Sequence, residues 1–147
     1  MARLTVFIRT LKKMDRISKK QRSVLMAKVR IKDTDIEKVL GEIIRPFWKT
    51  ERYKKNVKTL PGKPDIVFPK SKIAIFADGD FWHGKDFKKW KSGIPLFWRK
   101  KIADNIQRDR LQAKILRKAG YHVLRFYGSK IKRDSQFVSS AIIRYLG

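Results

Sequence analysis

Residues 64–77, PDIVFPKSKIAIFA, hold two short runs rich in β-branched and aromatic residues, Ile66 to Phe68 and Ile73 to Ala77, separated around Pro69 and Lys70. Runs of this length bounded by turn residues read as strands, and proline, which cannot donate to a ladder, marks where pairing stops. The segment therefore predicts a β-hairpin. Upstream, in DTDIEKVLGEIIRP (33–46), Ile36, Val39, Leu40, Ile43 and Ile44 form one helical stripe that Pro46 ends. Downstream, Gly84 to Pro95 mixes Gly, Lys and Trp without a period and is expected to be a surface loop. FWRKKIADNIQRDRLQAKILRKAG (97–120) predicts a long helix stopped by Gly120, and YHVLRFYG (121–128) a strand. A last helix is expected over about Ser135 to Leu146, with Val138, Ile142, Tyr145 and Leu146 on one face. This order implies an α/β sandwich around a central mixed sheet. There is no internal repeat, and a single domain over 23–147 is expected behind a basic arm, 1–22.

Charge narrows what such a domain can do. The 147 residues carry 38 Lys plus Arg against 13 Asp plus Glu, a formal net charge of +25. Self-repulsion of that size points to a polyanionic partner, nucleic acid before others. Ten of the cations, including Arg9, Arg16 and Arg22, fall in the first thirty residues against one acid, Asp15. With 42% apolar and 12% aromatic residues the chain can close a core, so it is not a disordered basic tail. No cysteine is present, which excludes disulfides and thiolate zinc sites. Apolar runs are too short to span a bilayer, and the start, MARLTVFIRTLKK, lacks a signal-peptide pattern, so a cytoplasmic protein with no membrane association is expected.

In so basic a chain each carboxylate has to be accounted for. Asp65 follows Pro64 at the mouth of one strand, and Asp78 ends the other, so a hairpin can bring both to one end of the sheet. Two close carboxylates repel unless a cation or a shared proton compensates, and magnesium takes such hard oxygen ligands. The alternatives are a turn cap at Asp65 and an Asx turn at Asp78 before Gly79. Asp109 falls within the apolar stripe of Ile102, Ile106, Ala113 and Leu116, where a charge requires a partner; an ion pair at the helix edge is the plainer reading. Thr34 to Glu37, TDIE, is a capping-box pattern, which assigns Glu37 to a helix start. His83 sits in FADGDFWHG (76–84), close to both aspartates, where an imidazole can carry a proton for hydrolysis. His122 reads as structural.

DTDIEKVL, LPGKPDIVF, IFADGDFWHG, FWRKKIADNIQRDR and LRKAGYHVLRFYG occur in the order and near the spacing of the very-short-patch repair (Vsr) mismatch endonucleases. This resemblance covers about Ser23 to Gly128. It implies a restriction-endonuclease-like PD-(D/E)xK fold that nicks one strand of double-stranded DNA at a T:G mismatch with magnesium, manganese being a substitute. It places the metal ligand on Asp65 and a carbonyl ligand on Ala77, the general base on His83, a supporting aspartate on Asp109 and an N-terminal glutamate on Glu37, which revises the capping assignment. Phe81, Trp82 and Met26 resemble the family's wedge residues, and Arg22 and Lys85 are the cations expected on the duplex. A prokaryotic or phage-encoded monomer is implied.

Two departures stand out. Asp78 replaces a second histidine and joins Asp65 and Ala77 as an expected metal ligand. Asp80 stands where the family has a zinc-binding cysteine, so no zinc is expected. The pattern Glu37, Asp65, Asp78, His83, Asp109 is also similar to the EDxHD homing endonucleases. The competing readings are a sequence- or structure-specific endonuclease of the same fold, and a non-catalytic basic DNA-binding module.

Overall fold

A computed structural model describes residue 9 and residues 18–147; within the first helix the side chains at 22, 25, 26 and 28–34 fall outside that description. Helix α1 (Lys19–Ile44) is followed by a 3-10 turn, Arg45–Lys49, then strands β1 (Lys54–Lys55), β2 (Ile66–Phe68) and β3 (Ile73–Asp78). Helices α2 (Phe87–Trp90) and α3 (Leu96–Lys118) lead to β4 (His122–Tyr127), and α4 (Gly128–Arg133) and α5 (Ser135–Ile143) follow. Among the described residues the strands form one sheet in the order β1-β2-β3-β4. β1/β2 and β2/β3 are antiparallel and β3/β4 parallel, so the sheet is mixed.

The hairpin is present as β2 and β3, in the register Ile66↔Ile75, Val67↔Ala74 and Phe68↔Ile73. Its turn is fastened from outside: the buried Glu51 carboxylate accepts the backbone N–H groups of Lys70 (2.6 Å) and Ser71 (2.9 Å). Because strand side chains alternate, β3 divides its residues between two layers. Ile73 and Ile75, with Ile66, Phe68 and Phe126, pack against Ile36, Leu40 and Ile44 of α1, Ile131 of α4, and Val138 and Ile142 of α5. Ala74 and Phe76 pack on Leu116 of α3. Helices thus cover both faces of the sheet.

Two expectations need correction. The helix predicted to begin near Thr34 runs unbroken from Lys19, and the capping box sits at Ser18, whose hydroxyl accepts Gln21 N–H (3.3 Å) while Ser18 N–H donates to Gln21 Oε1 (3.0 Å). Glu37 is therefore in mid-helix and caps nothing. Arg22, the last residue of the expected basic arm, is part of α1. The stretch from Gly84 to Pro95, expected as a surface loop, is anchored instead: Trp90 and Ile94 are buried with Phe81, Trp98 and Ile102 in a third apolar cluster. Each such side chain removed from water is worth about 2 kcal/mol, enough to hold a connection too short to show a helical period.

The end of α3 follows the sequence. Gly120 adopts φ +89°, its N–H donates to Arg117 O (3.0 Å) and Tyr121 N–H to Leu116 O (3.0 Å), the paired bonds of a Schellman motif. Asp134 opens α5 by accepting Phe137 N–H (3.0 Å). No helix among the described residues is long and apolar enough to cross a membrane.

Candidate active site

The last two residues of β3 organise the site, because successive strand residues serve opposite faces. Ala77 N–H donates to Asp65 Oδ2 (2.7 Å). Asp65 is fixed in turn by its own backbone, N–H to Ile75 O (2.9 Å) and O from Asn56 N–H (2.8 Å). It opens into a cleft of about 290 Å³ shared with Glu37 of α1, Lys55 and Asn56. Burial is the largest influence on this carboxyl and raises it to about 6; the Ala77 N–H opposes the rise, and the nearby Glu37 and Asp78 charges add to it. No Lys or Arg among the described residues forms an ion pair with Asp65.

Beyond Asp78 the chain folds through tight turns, with His83 N–H to Gly79 O (3.1 Å) and Gly84 N–H to Phe81 O (3.1 Å), and so returns His83 to the strand end. Asp109, buried on α3, meets it: His83 Nδ1 lies 2.6 Å from Asp109 Oδ2 and 3.6 Å from Asp78 Oδ1. Burial acts to lower the imidazole pKa, but the Asp109 hydrogen bond and the Asp78 and Asp109 charges outweigh it and raise the group above its ordinary value. For Asp109 burial acts upward, while the His83 bond and the His83 and Arg125 charges hold it below the usual carboxylate range. The neutral imidazole that donates Nδ1–H to Asp109 keeps Nε2 as a proton acceptor. These groups floor a second cleft, of about 940 Å³, with Lys88, Lys89, Lys91 and Arg110 on its walls.

Arg125 of β4 was not singled out from sequence. Its Nε (2.8 Å) and Nη2 (3.0 Å) engage both oxygens of Asp78, and Nη2 also lies 3.3 Å from Asp109 Oδ1. The signal was available: a charge inside the apolar strand run Val123 to Tyr127 requires a partner, as Asp109 does in its helix.

Two places could take a cation. One ligand atom each from Asp78, His83 and Asp109 lie within 4.8 Å of one another. There, however, the Arg125 guanidinium already supplies the positive charge, and Nδ1 is committed to Asp109. Asp65 suits a hard divalent ion better, being half-buried, near a second acid and without an ion-paired Lys or Arg among the described residues.

The remaining expected residues are dispersed. Phe81 is buried at 6% exposure and stacks on Trp90, centroids 5.2 Å apart. Trp82 is half-buried, edge-on to Phe81, with Lys101 Nζ 5.4 Å from its ring centre. Lys85 Nζ donates to Ser129 Oγ (2.6 Å) and lies 3.8 Å from Asp80, which accepts Ser129 N–H (3.0 Å) at the start of α4. Arg22 and Met26 belong to α1, but their side chains lie outside the described residues.

Comparison with known proteins identifies the family. Residues 14–89 match the family model described as DNA mismatch endonuclease Vsr. The chain is 38% identical over 126 residues to the type II nicking enzyme V.NmeDIP of Neisseria meningitidis serogroup C, covering 83% of each chain. It is 36% identical to the type II nicking enzyme V.HpaIIP of Haemophilus parainfluenzae, over 88% of this chain and 93% of that one. It is 30% identical to the DNA mismatch endonuclease Vsr of Escherichia coli K12, over 87% and 82%. With a mixed sheet between helices and a carboxylate–imidazole pair at the end of its central strand, the chain belongs to the Vsr family of DNA endonucleases.

Proposed function

We propose that the protein nicks one strand of duplex DNA at a mismatch, T:G before others, with magnesium held by Asp65 and the Ala77 carbonyl. The observation that carries this reading is the 2.6 Å contact between His83 and Asp109 at the end of the strand whose Ala77 N–H holds Asp65, an acid with no ion-paired Lys or Arg among the described residues. Strand geometry turns the N–H and C=O of one residue to the same edge, so the Ala77 carbonyl shares the Asp65 side. Bound there, the ion supplies positive charge against the scissile phosphate. His83 Nε2 takes the proton of the attacking water, and Asp109 keeps Nδ1 protonated and stabilises the imidazolium that forms. Glu37 faces Asp65 across the smaller cleft and adds negative charge that favours the cation. Nicking, rather than double-strand cleavage, is supported by the relatives named as nicking enzymes.

Selectivity for a mispair has a physical route. Opening a base step costs a few kcal/mol, and less where pairing is already poor. Trp82 is the proposed wedge into such a step, a reading supported by its partial exposure and its edge-on contact with buried Phe81. Met26 and Arg22 on α1, and Lys85 once released from Ser129, complete the proposed duplex contacts.

The test is a panel of end-labelled duplexes carrying each mispair or none, in several flanking sequences, incubated with magnesium and resolved on denaturing gels. A single nick beside the T of T:G is expected. Equal cleavage of a matched sequence favours a sequence-specific endonuclease, and binding without cleavage in magnesium or manganese favours a DNA-binding module.

A further inference from the structure

We propose that Arg125 is a positioning residue of the cleavage reaction: anchored on Asp78, it fixes the Asp109 carboxylate that orients His83. Arg125 is the register partner of Phe76, and its guanidinium lies over that ring, 4.1 Å from the centroid. From there the fork reaches Asp78, two residues further along the same face of β3. Nη2 is shared with Asp109 Oδ1, at 3.3 Å, while the other Asp109 oxygen takes His83 Nδ1. A carboxylate held only by the imidazole can turn about its soft terminal torsion; one held at both oxygens cannot.

Arg125 also settles a competition. Asp78 Oδ1 stands 3.6 Å from the same Nδ1 that Asp109 holds at 2.6 Å. With both its oxygens engaged by Arg125, Asp78 is withheld from the imidazole. Only a planar fork can span two carboxylates in this way, so lysine is no equivalent. The arrangement carries a cost, since Nη1 is buried without a hydrogen-bond partner. An apolar side chain facing Phe76 would avoid it, which argues against a role in packing alone.

The inference rests on His83 being the proton acceptor, and it is tested with Arg125→Lys and Arg125→Met. Single-turnover nicking at saturating enzyme, DNA affinity, and the ¹⁵N shifts of the His83 ring at alkaline pH are to be measured, with His122→Gln assigning the two histidines of the chain. We expect affinity within about twofold of wild type. The nicking rate should fall at least about tenfold in Arg125→Lys and further in Arg125→Met. The ring should shift from a single Nδ1–H tautomer to a mixture. An unchanged tautomer in Arg125→Lys, with its rate either unchanged or lowered only in proportion to lost folded protein, overturns the proposal. The lysine variant decides the matter if the methionine variant does not fold. Because the tautomer is read without DNA, a wild type that cuts no mispair would overturn the proposed function and leave this measurement decisive for Arg125.

Discussion

Asp65 carries a linkage consequence of its own. Its carboxyl is raised to about 6 in the fold, so the folded protein holds this proton more tightly than the unfolded chain does. Stability is therefore lost as pH rises from the ordinary carboxylate range through about 6. At neutral pH the cost is roughly 2 kcal/mol after allowance for partial exposure. Asp65→Asn should melt higher than wild type at pH 7.5 without divalent ions, and the gain should vanish near pH 4. Its nicking rate should fall at least about a hundredfold with DNA affinity retained or increased. A variant that cuts at the wild-type rate removes Asp65 from the mechanism. His83 gives a second prediction. A base works deprotonated, so an imidazole raised above its ordinary value moves the onset of cleavage to higher pH. Asp109→Asn removes the anion and should move that onset down while lowering the plateau rate, in a pH profile of single-turnover nicking. Asp65, His83 and Asp109 were legible because an acid or imidazole stands out in a cationic chain. Arg125 stands out less, as one of 38 cations: its place inside the apolar run of β4 signals a need for a partner, but which partner appears only when β4 pairs with β3.

Among the elements, the turn carrying His83 depends on how closely α3 approaches it. Gly84 has φ +69°, and a Cβ there would stand 2.8 Å from Ile106 Cγ1 and nearer still to Cδ1. Gly84→Ala should cost about 1–3 kcal/mol and displace His83, lowering the nicking rate beyond what the melting curve explains. Adding Ile106→Ala should restore part of the rate relative to the single variant; no recovery would mean that the backbone angle, not the contact, is limiting. The hairpin and the end of α3 could be read from sequence because an apolar run around Pro69 and a glycine at a helix end each have one local solution. The start of α1 could not. SKKQ at Ser18 and TDIE at Thr34 both fit a capping box, and spacing does not choose between them. β1, two exposed lysines, has no apolar signature and exists through its pairing to Val67 and Ile66.

For the whole molecule the net charge of +25 makes affinity a function of salt. The logarithm of the association constant should fall steeply with log salt, by about 0.9 for each phosphate contacted. Removing residues 1–17 deletes Arg3, Arg9, Lys12, Lys13 and Arg16 yet spares the Ser18 capping box, so the slope should decrease while the melting temperature is kept. An unchanged slope would show that the arm does not touch phosphate. The parallel pairing of β3 with β4 has a consequence for how the enzyme comes into being. Asp65 and His83 are synthesised well before Asp109, and Arg125 arrives last, on the strand that registers Ala77 against Phe126 and Asp78 against Tyr127. A nascent or prematurely ended chain thus carries the basic segment and Asp65 but lacks Asp109 and Arg125, the groups proposed to orient the imidazole. On the proposed roles, the site can therefore be complete only once β4 has paired with β3.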